Sequence, residues 1–469
     1  MKFVVSALAL IIFFTGCATL PKDDELITQI GVPKDFIHQK TLQTLGQKNI
    51  VQKDYLQTFF DLFQDKELEA LIHQALKNNT NLLTLESKIA QARSNAKIST
   101  ANLFPSTSIN LNYNYSDRNY KNVQVNYNQN SLNAALSLSW EIDLFGKLNA
   151  LRKANIQTYL ASQQTLENAK VSLIADVATY YFTILQLHQM IELNRLIINN
   201  LEDIFLITEQ KYKIGLVDIS DLNTAKNNLL SQKNSLLSLQ YSLEQNQNAL
   251  LVLLNQQEYN FNFDNEKIFA QAQIPIINSM PSSVLLNRPD VSSGIHTLRA
   301  SFYTKTNKQL ALLPSISISG SLGELLLSSA GAGQLVWQIA SSLAMPLLNR
   351  QSLTQAYISA KEDLKQAYYS LQNIINTAIQ EINNASINLK TSQESFQNSQ
   401  EGFNFFTNVL ENTKKRRYQN LIDDLSVLEV ENNYYQAKNN LISASLQLNT
   451  ALILLYKAFA GNFNTIEEK

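Results

Sequence analysis

The chain has 469 residues, and 38 Lys and Arg face 39 Asp and Glu, a formal net charge of -1. That balance gives no electrostatic case for nucleic acid. Gly and Pro number only 12 and 8, about 4% together against roughly 12% in average usage. Turns are therefore few and elements long, which disfavours a propeller or immunoglobulin-like sandwich with turns every 8–12 residues or so. The length allows about three domains at roughly 150 residues each. One cysteine cannot form an internal disulfide, and His38, His73, His188 and His296 are scattered without metal-ligand spacing. There is no nucleophile elbow and no Gly-rich phosphate loop. The sequence predicts no enzyme, no cofactor and no metal site.

The N-terminus, residues 1–16, reads as a signal peptide. Met1-Lys2 is a short positive segment, and Phe3 to Phe14 is an apolar run of about 12 residues, too short to span a bilayer. Phe14-Thr15-Gly16-Cys17 resembles a bacterial lipobox, although Phe14 and Thr15 depart from its favoured types. The resemblance implies that Cys17 becomes an acylated mature N-terminus, each buried CH₂ contributing about 0.8 kcal/mol to anchoring. It also implies that Ala18, where Asp would retain the protein at the inner membrane, is compatible with the outer membrane. An ordinary secretory signal with an incidental cysteine is the alternative. Beyond Thr19 no segment is apolar for roughly 18 residues, so any membrane passage must use strands.

After a segment at residues 17–60, the chain is built twice, over residues 61–259 and 282–460. Residues 260–281 form a connector with Pro275 and Pro281, and 461–469 a tail. Asn102-Leu103-Phe104-Pro105-Ser106 matches Ala311-Leu312-Leu313-Pro314-Ser315, and the segment from Tyr212 to Leu222 answers that from Tyr418 to Leu425. Each half is predicted to open with one helix (Lys66–Leu103; the shorter Ser282–Leu313). Two strands, a very long helix, a tight tip and a helix of about 36 residues follow. The long helices carry mostly apolar stripes in steps of three and four. One runs from Leu144 through Leu173, Val177, Ile184 and Ile191 to Tyr212, the other from Leu353 through Ile375, Ile382 and Leu389 to Leu410. No Gly or Pro interrupts residues 147–213, so that helix should be about 100 Å long. Small and polar stripe members such as Asn155, Ser162, Ala385 and Ser392 suit close packing around a hollow; a solid bundle is the alternative.

The strand segments alternate with period two. Thr107, Ile109, Leu111, Tyr113 and Tyr115 oppose Ser106, Ser108, Asn110, Asn112 and Asn114, and the other three segments repeat the pattern. Strands of about 10–12 residues match a tilted membrane-spanning strand, while a half-buried soluble sheet would alternate in the same way. Tyr115, Trp140 and Trp337 lie near strand ends, where interfacial aromatics belong. Four strands leave two open edges, which hydrocarbon does not tolerate. Copies must then pool strands, as dimers or trimers.

The duplicated helix–strand–strand–helix–helix unit and lipobox are joined by Glu141-Ile142-Asp143-Leu144-Phe145-Gly146-Lys147, Leu286-Asn287-Arg288-Pro289-Asp290-Val291 and Tyr212-x-x-Gly215 with Asp221-Leu222. Together they resemble the outer-membrane efflux proteins, the TolC-like factors, in their lipid-anchored NodT/OprM/CusC-type branch. The resemblance implies a mainly α fold with a small β part. In it, a homotrimer shares a 12-stranded transmembrane barrel above a long periplasmic α-helical barrel. It implies passive export of drugs, metal ions or other solutes through the outer membrane. A periplasmic adaptor and an inner-membrane pump of RND type would be the partners; the outer-membrane component of type I protein secretion is the alternative. The tips, Lys211–Asp221 and Lys414–Glu429, would lie at the periplasmic mouth. Asp423, Asp424 and Glu429 are then candidates for a gate ring. The other reading is that the aspartates cap the next helix. Gly215, Asp218 and Asp221 are candidates for adaptor contact. The family usually has Gly where Leu421 sits, so the second tip reads one residue short.

Overall fold

The computed structural model describes residues 55–119, 126–258, 274, 281–328, 335–345, 349–461 and 463. The signal segment, Cys17 and nearly all of the connector lie outside these. In chain order the elements are α1 (Tyr55–Phe63), α2 (Lys66–Asn78), α3 (Thr80–Ala101), β1 (Ser106–Asn119), β2 (Asn126–Ile142), α4 (Lys147–Lys213) and α5 (Ile219–Leu254). The second half supplies α6 (Pro281–Asn287), α7 (Pro289–Leu310), β3 (Ser315–Ser328), β4 (Leu335–Ala344), α8 (Arg350–Tyr418) and α9 (Asp424–Ala458).

The two long stripes are single helices of 67 and 69 residues. The helices expected to open each half are each broken in two. Asn79 takes an extended backbone, and its Oδ1 accepts from the amides of Asn81 and Leu82 at 3.0 and 3.2 Å, so it caps α3. Arg288 precedes Pro289, whose ring disfavours helical geometry at the residue before it.

The described residues fall into two compact units. The first holds residues 87–164 and 292–373, and the second holds 55–86, 165–291 and 374–463. The first contains an antiparallel sheet in the order β1-β2-β3-β4, which leaves β1 and β4 as edges. Three of its strands, of 14, 17 and 14 residues, exceed the expected length, and β4 has 10. Register aligns the alternation across all four. Ile109, Leu136, Leu322 and Trp337 form one row, and Ser108, Ser137, Ser321 and Gln338 form a row on the opposite face. Below the sheet, Asp143 accepts from the amides of Leu148 and Asn149 at 2.9 and 2.8 Å and starts α4. Lys147 pairs with Glu141 at 2.5 Å. Asn307 of α7 donates to the Lys147 carbonyl at 2.9 Å, and His296 hydrogen-bonds Gln157 at 2.7 Å.

The second unit has an aromatic core at one end. Phe59, Phe63, Tyr181, Tyr456, Phe459 and Phe463 are all buried, with Phe59 edge-on to Tyr456 at 4.9 Å. Thus α1 straddles the expected boundary at residue 60, and Phe463 of the expected tail joins the core, because large aromatic surfaces gain most from leaving water. Arg288, also buried, forks onto Asp290 at 3.0 and 2.7 Å, reaches Glu381 at 2.7 Å and donates to the Ala458 carbonyl at 2.7 Å. It ties the start of α7 to α8 and the end of α9. The apolar stretch of α9 is long enough to cross a membrane, yet 61% of it is buried in the chain, as befits a core helix.

Candidate functional site: the hairpin tips

The tips fold alike because their local chemistry is alike. At the first, Gly215 has φ +75°. The Leu216 amide donates to the Lys211 carbonyl and the Gly215 amide to that of Tyr212, both at 2.9 Å. These are the two bonds of a Schellman motif. At the second, Asn420 has φ +56°, and the Leu421 and Asn420 amides donate to the Arg416 and Arg417 carbonyls at 3.0 and 2.9 Å. Asn420, not Leu421, therefore stands in the glycine position, and the second tip is not one residue short. Asn tolerates the left-handed region because its short side chain carries little steric penalty there. The same chain offset relates Gly215 to Asn420, the helix caps Asp218 to Asp423, and Asn255 to Ala460 at the far ends.

Asp218 caps α5, accepting from the Ser220 and Asp221 amides at 2.7 and 3.0 Å, and Asp221 reaches back to the Asp218 amide at 3.3 Å. This reciprocal box satisfies donors that a helix start leaves open. Asp423 caps α9, accepting from the Ser426 amide at 3.0 Å and hydroxyl at 2.5 Å. These bonds, with Lys211 adding a smaller share, push its carboxyl down to about 2. Asp424 takes a two-pronged grip from Arg417 at 2.6 and 2.9 Å, which holds it below the usual carboxylate range. Glu429 is exposed on α9.

Lys211 of the first tip lies 3.3 Å from Asp423 of the second. Higher up, Asn200 of α4 donates to the Leu428 carbonyl and the Asn432 amide oxygen of α9, both at 2.9 Å. Leu193, Ile197 and Ile442 pack beside them. Lys211, Arg417 and Asn200 escaped sequence reasoning. The run Lys414-Lys415-Arg416-Arg417 beside two aspartates was the available signal. In the sheet, Tyr115 and Trp337 are exposed, and Trp140 is half-buried, donating from its indole to the Leu103 carbonyl at 3.0 Å.

Residues 71–256 and 280–461 match the family described as Outer membrane efflux protein. The chain is 26% identical over 420 residues to the probable efflux pump outer membrane protein TtgC of Pseudomonas putida, covering 86% of this chain and 84% of that protein. It is 21% identical over 467 residues to the probable outer membrane lipoprotein SilC of Salmonella typhimurium, covering 98% and 99%. Among solved structures, the outer-membrane channel OprN superposes with a TM-score of 0.80 at 20% identity, over 96% of this chain and 99% of that one. With both halves of its duplication matched, the chain belongs to the outer membrane efflux protein family.

Proposed function

We propose that this protein is the outer-membrane exit duct of a tripartite efflux system, passing drugs, metal ions or other small solutes outward. The observation that carries the reading is a four-stranded sheet with two faces of opposite character and two unpaired edges. Ile109 and Ile339 on one face are 77% and 74% exposed in the single chain. On the other face the rows through Ser108 and Ser106 hold only Ser, Gln and Ala. Lipid against the first face and water against the second suits both, and edges closed by identical copies satisfy the backbone. Three copies would give 12 strands, wide enough for a water-filled lumen. Tyr115, Trp140 and Trp337 then serve the membrane boundary, and acylated Cys17 anchors the chain.

The tips would form the periplasmic mouth. Asp423, Asp424 and Glu429, tripled by symmetry, become a carboxylate ring, with Lys211 and Arg417 holding the first two in place. Gly215, Asp218 and Asp221 shape the first tip for a periplasmic adaptor, which connects to an inner-membrane pump of RND type. The efflux names of relatives such as TtgC favour this over protein secretion. The test is the purified full chain in detergent and in a planar bilayer. A trimer with single-channel conductance, together with loss of drug or metal tolerance on deletion, is expected. A monomer without conductance overturns the reading.

A further inference from the structure

Resting on the duct reading above, we infer that the helices just below the sheet carry a cationic collar that binds the anionic phospholipid headgroups of the adjoining membrane leaflet, with Arg93, Lys97 and Lys153 as its main contacts. Charge is not spread evenly along this chain. The formal net charge is -1, yet no Asp or Glu occurs in residues 87–116, 144–166, 291–323 or 325–361. These stretches hold the sheet-side ends of α3, α4, α7 and α8. Every charge in them is Lys or Arg.

The basic side chains gather at one level. At 1.5 Å per residue, Lys97 stands about 6 Å and Arg93 about 12 Å from the sheet-side end of α3, and Lys153 stands about 9 Å from that of α4. Lys305 is about 7.5 Å from that of α7. A headgroup layer is about 6 Å thick, and the long stems of Lys and Arg extend the reach of their charges toward it. Directly above lie the exposed apolar residues Phe104, Leu144 and Met345, and then the apolar face of the sheet with Trp140 tied to the Leu103 carbonyl. Apolar strands, an apolar rim and then cations is the succession expected where a protein leaves a bilayer.

These cations are also uncompensated. Among the described residues Arg93, Lys97, Arg152, Lys153 and Lys305 have no carboxylate partner, whereas Lys211, Lys233 and Lys414 in the second unit each find one. The ammonium groups of Lys153 and Lys305 lie instead over the rings of Tyr303 and Phe302, at 5.6 and 5.7 Å. Arg93, Lys97 and Lys153 are exposed. Their direction follows from the neighbours of α4. It meets α3 through Asn155 and Ser99, and α7 through Lys147 with Asn307 and Gln157 with His296. At about 100° per residue those two contact lines lie about 120° apart on α4, and Arg152 and Lys153 fall in the wider of the two arcs between them. In a closed wall of helices the wider arc faces outward, toward lipid and away from the lumen. An outward ring of unpaired cations at headgroup level fits phosphate, with each charge worth about fivefold in affinity for anionic lipid.

The test titrates phosphatidylglycerol or phosphatidylcholine into the full chain purified in detergent, with bound lipid counted by native mass spectrometry. The parent trimer should hold phosphatidylglycerol more tightly than phosphatidylcholine. Lys97→Gln with Lys153→Gln should weaken phosphatidylglycerol by about fivefold or more and leave phosphatidylcholine unchanged. Lys97→Arg with Lys153→Arg should keep the preference, as should Lys226→Gln with Lys438→Gln, which removes as many charges from the second unit. Should the glutamine variant fold poorly, the parent still decides, because its preference should fall as sodium chloride is raised. A parent trimer that binds both lipids alike, or a second-unit variant that loses as much as the collar variant, overturns the collar and leaves the duct reading standing. So does unchanged lipid binding with altered ion selectivity of the reconstituted channel, which would place these charges in the lumen. A parent chain that forms neither trimer nor channel removes the duct reading and the collar with it.

Discussion

Two residues in left-handed backbone turn the chain at the hairpin tips. Asn420 fills at the second tip the role of Gly215 at the first. Asn420→Ala should therefore cost about 1 kcal/mol and Asn420→Gly little or nothing, read as a shift in the thermal midpoint of the purified protein. The Lys211–Asp423 contact is partly exposed, so it contributes about 0.2–1 kcal/mol in each chain. Lys211→Ala or Asp423→Asn should raise the open probability of a reconstituted channel, with three copies shifting the balance by up to about 3 kcal/mol. The carboxyl of Asp423 sits at about 2, below its ordinary 3.8. A depressed acid stabilises the fold above its unfolded value and loses that contribution only as pH falls through the folded one. The Asp423 tie should thus be constant from about pH 5 to 8 and weaken below about pH 4. Recording open probability against pH checks the sign.

Breaks matter as much as helices at the scale of elements. Asn79 ends α2, caps α3 and donates from its Nδ2 to the Leu253 carbonyl at 3.0 Å, so one side chain docks the break against α5. Asn79→Ala should lose about 1–2 kcal/mol of stability, with Asn79→Ser recovering most of the cap. At the matching break in the second half, Arg288 faces two carboxylates and a helix-end carbonyl from a buried position. Arg288→Met leaves Asp290 and the Ala458 carbonyl without that partner and should destabilise by about 3 kcal/mol, measured by denaturant unfolding of the detergent-solubilised protein.

The whole molecule is explained by its incompleteness. The sheet exposes an apolar face that water does not favour and two edges that hydrocarbon does not allow. Leu237 and Val252 of α5 and Phe405 of α8 are likewise exposed in the single chain. The rows through Ser106 and Ser108 on the face of the proposed lumen hold Ser, Gln and Ala without a charge, so these rows should discriminate little between ions of opposite sign. Across a salt gradient, Asp423→Asn with Asp424→Asn should shift the reversal potential toward anion selectivity, because Lys211 and Arg417 lose their carboxylate partners.

The duplication, the two long helices and the two-faced strands were legible in the sequence, because period and the absence of Gly and Pro act locally and survive without tertiary context. The split of the opening helices was half legible. Pro289 announces its own break, whereas Asn79 breaks a helix only because a distant carbonyl and a cap reward it. Tertiary structure alone decided that Lys211 meets Asp423 and that Arg288 closes on Glu381. These depend on which groups folding brings within hydrogen-bond reach across as many as 212 residues of chain. No local pattern encodes such distances.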